Sequence, residues 1–127
     1  MLVEVSSDVF KSYGKTREKI KFHSGLNAVV GGRRGANSIG KSTFLMILDF
    51  VFGGENYTVE SVNDIKEVGP HLIKFAFKDQ EGKYFYYSRS TEAPKKVNVC
   101  DEKYEVEHTI KLTQFQDELL KIYGITI

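Results

Sequence analysis

The first third of the chain carries short apolar segments separated by polar turns. Residues 2–10 partly alternate between apolar and polar positions, residues 20–23 form a second short segment, and residues 26–30 are mostly apolar. Alternation and short apolar runs bounded by turn residues are typical of β-strands. The pattern therefore predicts three strands, and we expect the third to be buried on both faces.

A glycine-rich stretch leads from the third strand into an apolar helix. Residues 41–52 place apolar side chains at helical spacing over a broad arc, which predicts a well-buried helix. Gly53 and Gly54 come directly after it, and glycine after a helical pattern predicts the C-terminal cap. The polar residues 55–70 are predicted to be irregular, with one short helix near 61–68.

From residue 71 to residue 111 the pattern changes to alternation rich in aromatic residues. Ile73, Phe75 and Phe77 lie at every second position, and this period is typical of half-buried strands. Short turns separate the runs, so we expect an antiparallel β-meander at about 71–111. The predicted strands are 72–78, 83–90, 95–101 and 104–111.

The last predicted element is a helix at about 112–123. Its apolar stripe has helical spacing, Thr113 and Gln116 have the spacing of a capping box, and Gly124 is placed to cap its end. The pattern shows no strong linker, so residues 1–127 are predicted to form one domain.

Composition and charge place the chain among soluble globular proteins. The 127 residues are 41% hydrophobic and 28% charged, with a formal net charge of +1. No overall charge excess therefore marks a nucleic-acid or membrane surface. Cys100 is the one cysteine, which excludes an internal disulfide, and His23, His71 and His108 lack metal-ligand spacing. The start lacks a signal-peptide pattern and no apolar stretch is long enough for a bilayer, so we expect a cytoplasmic protein without a membrane partner.

The chemistry is concentrated in residues 35–43. Gly35, Gly40, Lys41 and Ser42 satisfy the pattern G-x-x-x-x-G-K-[ST] of a phosphate-binding P-loop, or Walker A motif. Glycines let backbone N–H groups point at phosphate oxygens, and the helix that starts near Lys41 adds its positive end. Lys41 is expected at the β- and γ-phosphates and the Ser42 hydroxyl on magnesium. The predicted phosphate-binding residues are Gly35, Asn37, Ser38, Ile39, Gly40, Lys41, Ser42 and Thr43.

The context of the motif makes a chance match improbable. At average composition a chain of this length shows the pattern roughly once in a few hundred cases. A P-loop must also follow a strand and open a helix, and both are predicted here. The sequence therefore predicts binding of nucleotide phosphates.

Two segments resemble a known group of ATPases. Residues 25–32, Gly-Leu-Asn-Ala-Val-Val-Gly-Gly, and residues 37–43, Asn-x-x-Gly-Lys-Ser-Thr, resemble the N-terminal half of SMC-, RecN- and RecF-type heads. These are ABC-class ATPases of chromosome maintenance and DNA repair, and the chain is most similar to a bacterial branch with long coiled coils. The resemblance implies an α/β fold: a P-loop NTPase half-domain with a mixed sheet, an antiparallel β-meander subdomain and few helices. Ser38 and Ile39 depart from the family, which usually has glycine and a small residue there.

The resemblance also implies a function. The chain is expected to bind ATP and magnesium as the N-terminal lobe of such a head, with Lys41 as its catalytic residue. The family's hydrolytic Asp-Glu pair (Walker B) and its Leu-Ser-Gly-Gly-Gln-like signature are missing from this sequence and belong to a C-terminal lobe. Hydrolysis is therefore expected only in a complete head that pairs with a second head on ATP binding. DNA is the expected partner of the larger protein, in repair, maintenance or defence.

Three basic residues keep more than one interpretation. By the resemblance, Lys15 and Arg17 are candidate nucleotide contacts; otherwise they are exposed hairpin charges or DNA contacts. Arg89 either organises the nucleotide site from outside it or is a cross-strand charge.

One Asp-Glu pair is superficially similar to a Walker B pair, and two other functions are compatible with a P-loop. Asp101 and Glu102 end a strand-like run as a Walker B pair would, but Asn98 interrupts the run, so an amphipathic edge strand ending in a turn is the better interpretation. A stand-alone, non-catalytic nucleotide-binding or regulatory module acting through a protein partner stays open as an alternative. A small self-contained P-loop enzyme is less favoured, because the chain lacks the Asn-Lys-x-Asp motif of GTPases.

Overall fold

A computed structural model describes most of the chain. For three of its segments, 19–23, 27–29 and 41–44, only the backbone is described. The described residues are 1–7, 19–23, 27–29, 41–55, 57–58 and 69–125.

The described residues form seven strands and two helices. The strands are β1 (Leu2–Ser6), β2 (Lys19–His23), β3 (Asn27–Val29), β4 (Leu72–Lys78), β5 (Tyr84–Ser90), β6 (Lys96–Cys100) and β7 (Val106–Lys111). The helices are α1 (Lys41–Val51) and α2 (Leu112–Ile122). The seven predicted strands and the two long predicted helices are confirmed within a few residues at their ends. Residues 8–10 of the first predicted strand and the short helix near 61–68 lie outside the described residues.

The strands make one sheet in the order β3-β2-β1-β4-β5-β6-β7. All six described pairings are antiparallel, so the β-meander from β4 to β7 is confirmed. The parallel pairing that a mixed sheet requires is not seen in the described part of the chain. The described part of the chain is therefore α/β, with an antiparallel sheet and two helices.

One face of the sheet carries the hydrophobic core. Phe75 lies opposite Val5 on β1 and Tyr87 on β5, and all three side chains are fully or almost fully buried. Ile47 and Phe115 bring α1 and α2 onto this face, and Phe115 packs its ring edge against Tyr87 at 4.9 Å between centroids. Because side chains alternate along a strand, the intervening residues lie on the other side of the sheet, which we call the open face.

Glycine ends both helices, as predicted. Gly53 follows α1 with φ +93° and Gly124 follows α2 with φ +71°, a conformation that side chains with a Cβ rarely adopt. The amides of Gly54 and Ile125 close the two ends with bonds of 2.8 Å to the carbonyls of Asp49 and Leu120. These are the bonds of a Schellman cap.

The predicted capping box of α2 is wrong. The residue that caps the N-terminus is Lys111, with no side-chain hydrogen bond, and Thr113 already lies inside the helix. Gln116 instead donates from Nε2 to the carbonyl of Gly53 at 3.0 Å. β7 continues directly into α2, and the amide of Leu112, the first helical residue, donates to the carbonyl of Lys95 at 2.8 Å. A backbone carbonyl of the neighbouring chain segment thus satisfies the first amide of the helix.

Neither helix in the described part of the chain is long and apolar enough to cross a membrane.

Candidate nucleotide-binding site

The structure places a strand before the predicted loop and a helix after it. β3 ends at Val29 and α1 begins at Lys41. The predicted residues Lys41, Ser42 and Thr43 are thus the first three residues of α1, and their side chains lie outside the described residues. The other predicted site residues also lie outside them: Lys15, Arg17, Gly35, Asn37, Ser38, Ile39 and Gly40.

The start of α1 is chemically suited to an anion. The first amide N–H groups of a helix have no carbonyl partner within the helix, and the helix dipole makes that end positive. Lys41 and Ser42 occupy this first turn, which has no acidic residue. Phosphate oxygens placed there would meet unpaired donors and a positive potential.

Arg89 on β5 holds the opposite end of α1, and the sequence pattern alone settles neither of its two interpretations. Its Nη1 donates to the carbonyls of Phe50 and Gly54, each at 2.7 Å, and its Nε donates to the carbonyl of Pro94 at 2.8 Å. The guanidinium carbon also lies 4.0 Å from the centre of the Phe50 ring. Arg89 therefore ties the C-terminus of α1 to the sheet and to the turn after β5.

The surroundings of Arg89 explain how a cation can be buried there. The side chain is completely buried, and burial lowers the pKa of its guanidinium to about 10. The carboxylates of Glu55 and Asp49 partly offset this effect because they raise the pKa. It stays charged at neutral pH because the carbonyls at a helix C-terminus carry the negative end of the dipole. These contacts exclude the interpretation of Arg89 as a simple charge that faces a neighbouring strand. At 1.5 Å per residue, Arg89 lies about 15 Å from the start of α1, so it contacts the helix only at its C-terminal end.

A sequence signal for Arg89 did exist. Phe85, Tyr87 and Arg89 lie at every second position of β5, so the alternation that puts Tyr87 in the core puts Arg89 there as well. An arginine in register with core residues needs buried acceptors. The sequence does not reveal that these acceptors end α1.

A buried histidine and tyrosine pack beside the same helix end. His71 Nδ1 lies 2.8 Å from the carbonyl of Gly69, and His71 Nε2 lies 2.6 Å from the hydroxyl of Tyr57. A carbonyl only accepts, so Nδ1 carries the proton and Nε2 accepts from Tyr57. The Tyr57 ring meets the Phe50 ring edge-on at 5.5 Å. Burial lowers the pKa of His71, with the Gly69 carbonyl acting against it, so the neutral ring belongs to the folded structure.

Asp101 and Glu102 do not resemble a hydrolytic pair. Asp101 Oδ1 accepts from the amides of Lys103 at 2.8 Å and Glu105 at 3.0 Å, so this carboxylate organises the turn between β6 and β7. The turn agrees with the sequence interpretation. The edge position does not, because β6 is paired on both sides.

A cleft of about 490 Å³ lies between α2 and strands β5 to β7. On its wall the Tyr87 hydroxyl donates to Glu118 Oε1 at 2.9 Å. Burial is the larger cause, and this hydrogen bond the next, of a raised pKa for Tyr87. The described residues contain no group of three or more His, Cys, Asp or Glu side chains arranged to hold a metal ion. The part of the cleft that the structure describes therefore offers no metal-holding group, and the P-loop segment stays the strongest candidate site.

Comparisons of the chain with family models, with curated proteins and with solved structures gave no match.

Proposed function

We propose that the chain is the ATP- and magnesium-binding N-terminal lobe of an SMC-like, ABC-class ATPase head. The observation that carries the proposal is the motif G-x-x-x-x-G-K-S between β3 and α1, with the lysine as the first residue of the helix. Lys41 would hold the β- and γ-phosphates, Ser42 would hold magnesium, and the backbone of 35–40 would supply amide donors.

Two features of the described surface support the need for a further lobe. From Phe44 to Val51 every residue of α1 except Asp49 is apolar. Leu45 on this helix and Phe52 directly after it are 59% and 39% exposed. A helix of this kind is normally covered on every side. β3, the strand before the loop, has a described partner only on its β2 side. A C-terminal lobe that covers α1 and extends the sheet would also bring the Asp-Glu pair and signature that hydrolysis requires. A role in DNA repair, maintenance or defence rests on the family resemblance alone.

The proposal is tested by titrating the purified chain with Mg-ATP and Mg-GTP while phosphate release is followed. We expect Mg-ATP to bind with no turnover, and Lys41→Ala to abolish binding because the phosphates lose their cation. The matched control is Lys103→Ala, which removes the same charge from an exposed turn between β6 and β7 and should bind as the parent chain does.

Other outcomes of the titration would change the assignment. Turnover by the chain alone that depends on Lys41 would overturn the half-head proposal. Binding that is equal in the parent chain and in Lys41→Ala would remove the P-loop from the site. Tight binding without turnover, kept unchanged when a candidate C-terminal lobe is added, would favour the stand-alone regulatory module.

A further inference from the structure

The open face of the sheet collects lysines and hydroxyl groups in register. Across four strands Lys74, Ser88, Asn98 and Thr109 lie opposite one another in one row. Thr109 donates to Asn98 Oδ1 at 2.9 Å, and Asn98 Nδ2 donates to Ser88 Oγ at 3.0 Å. This row is a connected chain of polar groups on the side of the sheet away from both helices. Thr109 is exposed, Lys74 and Asn98 are partly exposed, and Ser88 is buried beneath them.

Two lysines stand directly opposite each other beside this row. Lys96 on β6 pairs with Lys111 on β7, and both are exposed. The Leu112 amide donates to the Lys95 carbonyl at 2.8 Å. The next pair along, Lys96 with Lys111, is therefore a non-hydrogen-bonded pair, the kind in which side chains come closest. Like charges placed this way destabilise a sheet, and neither lysine forms an ion pair with a described carboxylate.

Aromatic rings lie further along the same face. Tyr84 is 48% exposed and stacks on Tyr86, with 6.3 Å between centroids and 24° between the rings. Lys78 lies 5.9 Å from the centre of the Tyr84 ring. Burial first, and then the nearby carboxylates of Glu4 and Glu102, raise the pKa of Tyr86. Glu4 already accepts a hydrogen bond from the Tyr104 hydroxyl at 2.7 Å. At about 3.4 Å per residue, the distance from Tyr84 to the Lys96 row is about 20 Å along the strands.

We propose that the open face binds single-stranded nucleic acid, with backbone phosphates on Lys74, Lys96 and Lys111 and a base on Tyr84. Lysines attract phosphates without regard to sequence, and exposed aromatic rings stack on any base. This surface lies on the opposite side of the sheet from α1. It goes beyond the proposed ATP site and does not depend on it.

The test is fluorescence anisotropy of a labelled oligothymidylate, long enough to cross the sheet, titrated with the full chain at several salt concentrations. The slope of log affinity against log salt is negative, and we expect the double variant Lys96→Gln with Lys111→Gln to reduce its magnitude by about 1.4, since two phosphate contacts of about 0.7 each are lost. Tyr84→Ala should weaken binding at least about fivefold and leave the slope unchanged, because it removes stacking and no charge.

The matched control is Lys83→Gln with Lys121→Gln. These lysines are also exposed and line the cleft near α2, which Tyr84 borders as well. Neither belongs to the Lys96–Lys111 pair, so the same loss of charge should change the slope less than the Lys96 and Lys111 double variant does. Lys41→Ala should bind the oligonucleotide as the parent chain does, which separates this proposal from the ATP site. Chemical unfolding of each variant confirms that it is folded.

Several results would overturn the proposal. They are no binding at low salt, equal losses in the two double variants, or full competition by polyglutamate at equal charge. Preference for duplex DNA over the single strand would also overturn it, because a duplex does not offer its base faces to Tyr84.

Discussion

At the scale of single residues, two buried polar side chains organise the region around the end of α1. Arg89 satisfies the helix carbonyls and a turn carbonyl, and His71 links Gly69 to Tyr57. A buried polar group is tolerated only with its hydrogen bonds made, and losing one partner leaves the others desolvated. A substitution at either position should therefore lower the free energy of unfolding more than a typical surface substitution does.

Replacing Arg89 should be costly. Arg89→Met keeps much of the apolar stem but leaves the carbonyls of Phe50, Gly54 and Pro94 without their donor, so we expect the free energy of unfolding to fall by about 3 kcal/mol. Urea denaturation measures this change. Lys95→Met is the control, since its ion pair with Glu55 is exposed and should contribute little. An equal effect of both substitutions would contradict the role assigned to Arg89.

His71 should make stability depend on pH. Its pKa in the folded chain is lowered from the ordinary value of 6.5 because the ring is buried, so the unfolded chain binds the proton more tightly. The contribution of the neutral His71 ring to the free energy of unfolding is then fully present above about pH 6.5. It is lost as the pH falls through the folded-state pKa. His71→Gln should flatten this part of the stability curve.

The pH experiment has an internal comparison. His108 is exposed on β7, so His108→Gln should keep the decline below pH 6.5 that the parent chain shows. A decline of the same size in His71→Gln would show that other groups cause it.

At the scale of elements, the ends of the helices are fixed by backbone geometry and by contacts between helices. Gly53 is the residue with left-handed backbone conformation after α1, and its carbonyl accepts a hydrogen bond from the Gln116 side chain of α2. The same glycine thus ends one helix and joins it to the other. The sequence predicted the first function of Gly53, whereas the second appeared only in the folded chain.

Alanine at Gly53 should cost more than alanine at a glycine with the same conformation in open space. Gly82 has φ +88° and no atom within 4 Å of an added Cβ, whereas a Cβ on Gly53 would lie 3.1 Å from Gln116 Cγ. We expect Gly82→Ala to lower the free energy of unfolding by about 1 kcal/mol from backbone strain and Gly53→Ala by about 2 kcal/mol. Equal losses, measured by thermal or urea unfolding, would mean that the contact with α2 adds nothing.

At the scale of the whole molecule, the two sides of the sheet differ in chemistry. One side buries the aromatic core under α1 and α2, and the open face carries lysines, hydroxyl groups and tyrosines. α1 begins at the predicted phosphate-binding residues and ends on Arg89, so it connects the candidate site to the core. A ligand at the start of α1 should therefore stabilise the whole fold.

Mg-ATP should raise the stability of the chain by an amount that grows with the logarithm of the ratio of free ligand concentration to Kd. At a free ligand concentration of 100 times Kd, a ligand that binds only the folded state adds about 2.7 kcal/mol to the free energy of unfolding. We expect this shift in the parent chain and none in Lys41→Ala, measured by thermal unfolding with and without Mg-ATP. A shift that persists in Lys41→Ala would locate the nucleotide elsewhere.

The sequence by itself determined the elements and the candidate chemistry. Period-two alternation located β4 and β5, glycine marked the ends of α1 and α2, and the spacing of Gly35, Gly40 and Lys41 predicted phosphate binding. These signals are local, because each reflects how neighbouring residues meet one backbone geometry or one ligand.

Only the tertiary structure decided which distant groups meet. The order of the strands, the bond from Gln116 to Gly53, the acceptors of Arg89 and the facing lysines Lys96 and Lys111 all join residues far apart in the chain or in different elements. Sequence periodicity states which side of an element a residue occupies, but not which element it faces. That choice depends on how the buried surfaces pack together, a property of the whole fold.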